Sequence, residues 1–166
     1  YIFRGPDFPY LLRVHRESIQ SAARIVVKLG TGVLTDSRKQ IDPAQLEQLV
    51  AQVAALKKTG KEVVLVTSGA VGAGMGALGY ESRPTNLAEK QACAAVGQSR
   101  LMAMYDKLFA KHDLVVAQVL LTHEDLEHHE RHLNARNTLV TLLGRGVVPI
   151  INENDAVSGT EIKCGD

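Results

Sequence analysis

The chain has 166 residues, 45% of them apolar, and its 19 Lys and Arg against 18 Asp and Glu leave a formal net charge of +1. That length suits one domain with a buried core. The near-neutral balance excludes a global field for nucleic acid or an anionic membrane, so a small-molecule partner is favoured. No apolar run approaches the roughly 20 residues of a membrane span, and the first residues lack a signal peptide's apolar centre. A cytoplasmic protein is expected. Cys93 and Cys164 lie far apart without a CxxC, which predicts reduced packing thiols rather than a disulfide framework.

Residues 1–22, with Gly5-Pro6 and Phe8-Pro9, read as an N-terminal arm whose role the sequence does not state. From Arg24 onward short apolar runs alternate with long helical patterns. This predicts an α/β fold with a mainly parallel sheet sandwiched between helices. Strands are expected at 24–29, 62–67, 114–121 and 146–151, the last demoted to an edge or bulge by Pro149. Asp42-Pro43 announces a first helix with Leu46, Leu49, Val50, Val53 and Leu56 on one stripe, closing at Lys57-Lys58-Thr59-Gly60. A second begins near Asn86, with Glu89 as its capping-box partner, and runs towards Lys111. The spacing of Thr122 and Asp125 starts a third, continuous to Gly144-Arg145-Gly146.

In open α/β sheets ligands bind at the carboxyl ends of the strands, and three of the four ends are rich in polar or small residues. After the first comes Lys28-Leu29-Gly30-Thr31-Gly32, a lysine among small residues that let backbone N–H groups approach an anion. Those five residues fit a phosphate cradle and a plain βα turn with a solvated lysine equally well, and they are not a Walker motif. After the second comes a glycine-rich passage, Thr67-Ser68-Gly69-Ala70-Val71-Gly72-Ala73-Gly74-Met75-Gly76, able to hold a carboxylate or phosphate on backbone amides. It contains a dinucleotide-type pattern, Gly74 to Gly79, placed too far beyond the strand end, so helix packing or a flexible lid is favoured over nicotinamide binding. After the fourth comes Asn152-Glu153-Asn154-Asp155, two amides and two carboxylates able to read an amino acid's ammonium and carboxylate together. The run from His123 to His132 puts His128 and His132 one turn apart, yet its mixed charges favour a solvated or subunit-facing helix over zinc, and no metal site is expected.

Four segments together, Val27-Lys28-Leu29-Gly30-Thr31, Val66-Thr67-Ser68-Gly69-Ala70-Val71, Ala95-Val96-Gly97-Gln98-Ser99 and Ile151-Asn152-Glu153-Asn154-Asp155-Ala156-Val157, resemble the glutamate 5-kinases of the amino-acid kinase superfamily. The resemblance runs over residues 24–166. The first two segments are shared with acetylglutamate kinase, aspartokinase and uridylate kinase, whereas Val96-Gly97-Gln98-Ser99 and Asn152-Glu153-Asn154-Asp155 select the glutamate branch. It implies ATP-dependent phosphorylation of the glutamate γ-carboxylate, the first step of proline synthesis, with Mg²⁺ carried by ATP. In that frame Lys28 is catalytic and lies against the transferring phosphoryl group, with Gly30 and Thr31 lining the phosphate path. Ser68, Gly69 and Ala70 receive the glutamate side chain, Asn152 and Asp155 hold its backbone, and Lys163 and Asp166 are active-site residues of unassigned role. Residues 23–166 then form the N-terminal part of a kinase domain whose nucleotide-binding half is absent, and the chain alone is expected to be inactive. The family further implies self-association, feedback inhibition by proline, and in some members a fused reductase or RNA-binding-like domain. A non-catalytic glutamate- or effector-binding module and, more weakly, a nicotinamide-binding domain are the alternatives.

Overall fold

The computed structural model describes residues 20–38 and 40–158. Most of the predicted arm, and Lys163, Cys164 and Asp166, lie outside the described residues. Strand β1 (Arg24–Leu29) and strand β2 (Glu62–Thr67) fall on the two valine-rich runs, where branched side chains suit a pleated surface. Strands β3 (Val116–Leu121) and β4 (Val148–Glu153) each begin two residues later than the apolar pattern suggests. Both delays have the same cause. The residues before each strand close a helix by a left-handed turn. Asp113, at φ 59°, lets the Leu114 N–H reach Phe109 O, and Gly146, at φ 77°, lets the Val147 N–H reach Leu142 O.

Six helices accompany the strands among the described residues. They are α1 (Thr31–Leu34), α2 (Pro43–Lys58), α3 (Ala70–Leu78), α4 (Leu87–Ala110), α5 (His123–Glu127) and α6 (His129–Gly144). Asp42 caps α2 through the N–H groups of Ala44 and Gln45, and Asn86 caps α4 through Ala88. The predicted third helix is two helices. The Thr122–Asp125 capping box starts α5, but His128 is extended (ψ 113°) and ends it, so His128 and His132 do not stack on one helical face. No group of three or more His, Cys, Asp or Glu is placed to hold a metal among the described residues, and no described helix is long and apolar enough to cross a membrane.

The sheet is parallel with strand order β1-β2-β4-β3. Pro149 therefore lies in an interior strand, contrary to the edge or bulge expected of it. The preceding N–H, that of Val148, points to β3 and bonds Val115 O at 2.9 Å. The proline nitrogen faces the other neighbour, β2, whose registered pairing with β4 begins only at Leu65↔Ile150. The missing donor falls where no ladder bond is due.

Connection direction settles which face each helix covers. The β1 to β2 and β2 to β3 crossovers run one way along the sheet and the β3 to β4 crossover returns, so right-handed connections put α2 and α4 on one face and α6 on the other. Leu46, Val50 and Val53 of α2 and Leu101, Tyr105 and Phe109 of α4 bury themselves against Leu29, Val63, Leu65, Val148 and Ile150. Each such side chain contributes about 1.5–3 kcal/mol of burial. Coverage of the opposite face is thin: α6 buries Leu143, while Val26 of β1 is 62% exposed.

Candidate functional site

A cleft of about 370 Å³ opens over the carboxyl ends of β1, β2 and β4. Its walls include Lys28, Thr31, Ser68, Gly69, Ala70, Asn152 and Asp155, residues drawn from three segments separated by up to 127 positions (155 − 28). The sheet brings them together because parallel strands present all their carboxyl ends on one side. Gly30 does not itself line the cleft. It ends β1 and precedes α1, its carbonyl accepting the Val33 N–H at 3.0 Å.

The second wall is built by the turn from β2 into α3. The Ser68 N–H donates to Leu29 O at 3.0 Å, locking the ends of β1 and β2 together. Gly69 adopts φ 98°, a left-handed conformation, and a Cβ there would lie 2.9 Å from Ile41 Cδ1. Only glycine meets both conditions without strain. No side chain caps α3, and its first residues, Ala70, Val71 and Gly72, line the cleft. A nine-residue helix thus presents an uncapped N-terminus to the cavity, suited to a carboxylate or phosphate oxygen.

The turn is held from below. Thr67 Oγ1 lies 2.7 Å from the Tyr105 hydroxyl in the buried core. Burial pushes the Tyr105 phenol up to about 12, outweighing the opposing effect of its bond to Thr67. Tyr105 therefore stays protonated and neutral, as a group bridging the sheet to α4 must.

Helices α3 and α4 meet with almost no space between them. A Cβ at Gly74 would fall 1.9 Å from Cys93 O, and one at Gly97 would fall 1.8 Å from Ala70 O. The Gly74 to Gly79 pattern is therefore part of a helix and its left-handed cap, with Gly74 set against α4, which is the packing role preferred over dinucleotide binding. Cys93 is a buried free cysteine, and burial raises its thiol pKa.

The third wall follows β4. Asn152 is buried, its Oδ1 accepting the Glu153 N–H at 2.9 Å and its Nδ2 donating to Gln98 Oε1 at 2.7 Å. One Nδ2 proton remains for a ligand. The Asn154 N–H reaches back to Leu121 O at 3.0 Å, tying this loop to β3. Two further cleft residues escaped the sequence reading as individual sites. Arg83 comes from the loop between α3 and α4, where nothing marks one arginine as different from any surface arginine. Glu153 was noticed only as a member of its cluster. The site thus combines two cations, Lys28 and Arg83, with two carboxylates, Glu153 and Asp155. Such a mixture suits a ligand carrying both signs, with the cations serving its anionic end.

A smaller cavity, of about 290 Å³, adjoins the cleft and shares Ala70, Glu153 and Asp155 with it, adding Gln98 and Ser99 of α4 and Gln118 of β3.

The description of the amino acid kinase family matches residues 23–166. The chain is 55% identical over 151 residues to a glutamate 5-kinase of Marinomonas sp. (strain MWYL1), covering 91% of this chain and 40% of that protein. It is 56% identical over 149 residues to a glutamate 5-kinase of Shewanella amazonensis (strain ATCC BAA-1098 / SB2B), covering 90% and 39%. The chain spans about two fifths of the length of the curated relatives it matches. A solved carbamate kinase from Giardia lamblia bound to AMP-PNP aligns with 81% of this chain and 61% of its own, at TM-score 0.49 and 16% identity.

Proposed function

For a chain that belongs to the amino acid kinase family, we propose that it forms the acceptor-binding part of an enzyme transferring the terminal phosphoryl group of ATP, as its magnesium complex, to the γ-carboxylate of L-glutamate. The observation that carries this reading is the cleft itself. It combines a lysine, an uncapped helix N-terminus and an Asn/Asp pair at three parallel strand ends, and relatives 55–56% identical to the chain are named glutamate 5-kinases.

A glutamate γ-carboxylate has an ordinary pKa of about 4.3 and is ionised at neutral pH, so it attacks without a general base. The difficulty is repulsion between a carboxylate and a triphosphate, which positioned cations and backbone N–H groups offset. In this reading Lys28 neutralises the transferring phosphoryl group and Thr31 borders its path, while Gly30 shapes the β1–α1 turn behind them. Ser68, Gly69 and Ala70 seat the γ-carboxylate at the α3 N-terminus. Asp155 accepts from the ammonium and Asn152 offers its remaining N–H to the ligand backbone. Lys163 and Asp166 are placed at the same acceptor site by resemblance alone. The nucleotide-binding half, cytoplasmic location, self-association and inhibition by proline belong to the same proposal.

The test is ATP consumption by the full-length protein with glutamate, the acyl phosphate being trapped as a hydroxamate. Lys28→Ala is expected to lower kcat by about 10²-fold or more, with a much smaller change in glutamate KM. An unchanged kcat removes Lys28 from the chemistry. No transfer by the parent protein would favour a glutamate-binding module instead.

A further inference from the structure

The Val96-Gly97-Gln98-Ser99 segment of α4 carries a polar side chain that the roles above leave unused. The Glu153 N–H fixes the orientation of Asn152, whose oxygen must face it, and so turns the Asn152 NH₂ towards Gln98. Gln98 must then present Oε1 to Asn152 and direct its own NH₂ elsewhere. That Nε2 is buried and has no hydrogen-bond partner. Buried donors are nearly always satisfied, because leaving one without an acceptor is costly. Gln98 lines the smaller cavity, which meets the main cleft at Ala70, Glu153 and Asp155. In the acceptor-site reading the ligand's ammonium lies at Asp155, a residue common to both cavities, so its α-carboxylate falls on the side of the smaller cavity that Gln98 lines.

We propose that Gln98 is a specificity-determining residue whose Nε2 donates to the α-carboxylate of the amino-acid acceptor, beside the ammonium held by Asp155. This deepens the acceptor-site reading and rests on it. The bond completes the Gln98 amide only when a ligand with an acceptor oxygen at that position is bound. An acceptor lacking the oxygen leaves the donor unsatisfied, which is how such sites discriminate strongly.

The substitution Gln98→Glu separates this role from a purely structural one. It retains an oxygen for Asn152 Nδ2 and replaces only the donor, by an oxygen that repels a carboxylate. In the full-length protein the glutamate KM is expected to rise about tenfold to a hundredfold, while kcat and the ATP KM change by less than about twofold. A glutamate KM within about twofold of the parent's would overturn the proposal. Should the Glu variant fail to fold, Gln98→Met with 4-aminobutyrate as the competing acceptor gives the same answer, since that compound keeps the reacting carboxylate and the amine but lacks the α-carboxylate. The parent's preference for glutamate, as a ratio of kcat/KM values, should fall about tenfold or more in the Met variant. An unchanged ratio also overturns it. Failure of the underlying reading looks different: the parent protein itself would transfer nothing to glutamate.

Discussion

Replacing Gly97 by alanine tests whether the contact between α3 and α4 sets the shape of the cleft. The added Cβ would lie 1.8 Å from Ala70 O and 2.5 Å from Gly74 N, both backbone atoms that cannot swing aside. Even the tightest contact that real structures tolerate, 3.0 Å, requires the helices to separate by about 1.2 Å. Overpacking of this kind costs about 1–3 kcal/mol and occasionally more, and the helix propensity gained on replacing glycine returns about 1 kcal/mol. Because the clash is with backbone, the upper end applies, giving a net loss of about 2 kcal/mol. Gly76 on α3 is the internal control. A Cβ there meets Gln40 at an ordinary 3.5 Å, so Gly76→Ala should be neutral or stabilising by up to about 1 kcal/mol. Urea unfolding of the two variants and the parent reads the difference. Since Ala70 begins the helix that lines the cleft, Gly97→Ala should also weaken binding of the proposed acceptor, glutamate, in the full-length protein, while Gly76→Ala leaves it alone. A Gly97→Ala protein as stable as the parent would refute the reasoning, because it would mean that the helices are not in backbone contact.

Two further changes probe the supports of the site and fold. Tyr105→Phe should cost about 1 kcal/mol at neutral pH by removing the partner of Thr67. Because the folded phenol is raised from 10.0 to about 12, its stabilising effect is complete below pH 10 and is lost as pH rises towards 12; the Phe variant should lack that alkaline loss in urea midpoints, and equal alkaline slopes would contradict the assignment. The Asp125 carboxyl is held below its usual 3.8, chiefly by the Thr122 backbone N–H and then by the Thr122 hydroxyl. Its contribution is therefore present above pH 3.8 and lost as pH falls further, so Asp125→Asn should flatten the acid limb of the stability profile, and an unaltered limb would show that the α5 cap does not titrate.

Much of this architecture is legible in the chain, for identifiable reasons. The bounds of β1 and β2 match because valine runs there are flanked by charged and glycine residues. The starts of β3 and β4 do not match because Leu114 and Val147, apolar enough for a strand, instead close the preceding helix. Helix α3 is harder to read. Three of its nine residues are glycine, a poor composition for a helix, and only its partner α4, brought against it by Gly97, explains why it forms. At the cleft the motif-borne residues, Lys28, Ser68 to Ala70, Asn152 and Asp155, were visible because strand ends concentrate small and polar groups. Arg83 was not, since its place in the cleft depends on a loop whose path no local pattern encodes. Gln98 stood out only as part of a segment, and its polarity became readable once Asn152 and the Glu153 N–H were seen together.

The strand order also dictates a sequence of events during folding. Strand β4, the last of the four in the chain, occupies an interior position between β2 and β3. Until it enters, β3 has no neighbour among the other described strands and cannot join the sheet. Residues 24–67 can pair β1 with β2 early, but every contact that completes the cleft arrives with β4, across sequence separations that slow folding. A ribosome-bound chain emerging from its N-terminus would therefore carry Lys28 and the Ser68 turn long before it could hold a ligand, with two sheet edges open in the meantime. Ligand affinity should appear abruptly in a series of nascent chains of increasing length, only after β4 and the residues that follow it have left the exit tunnel.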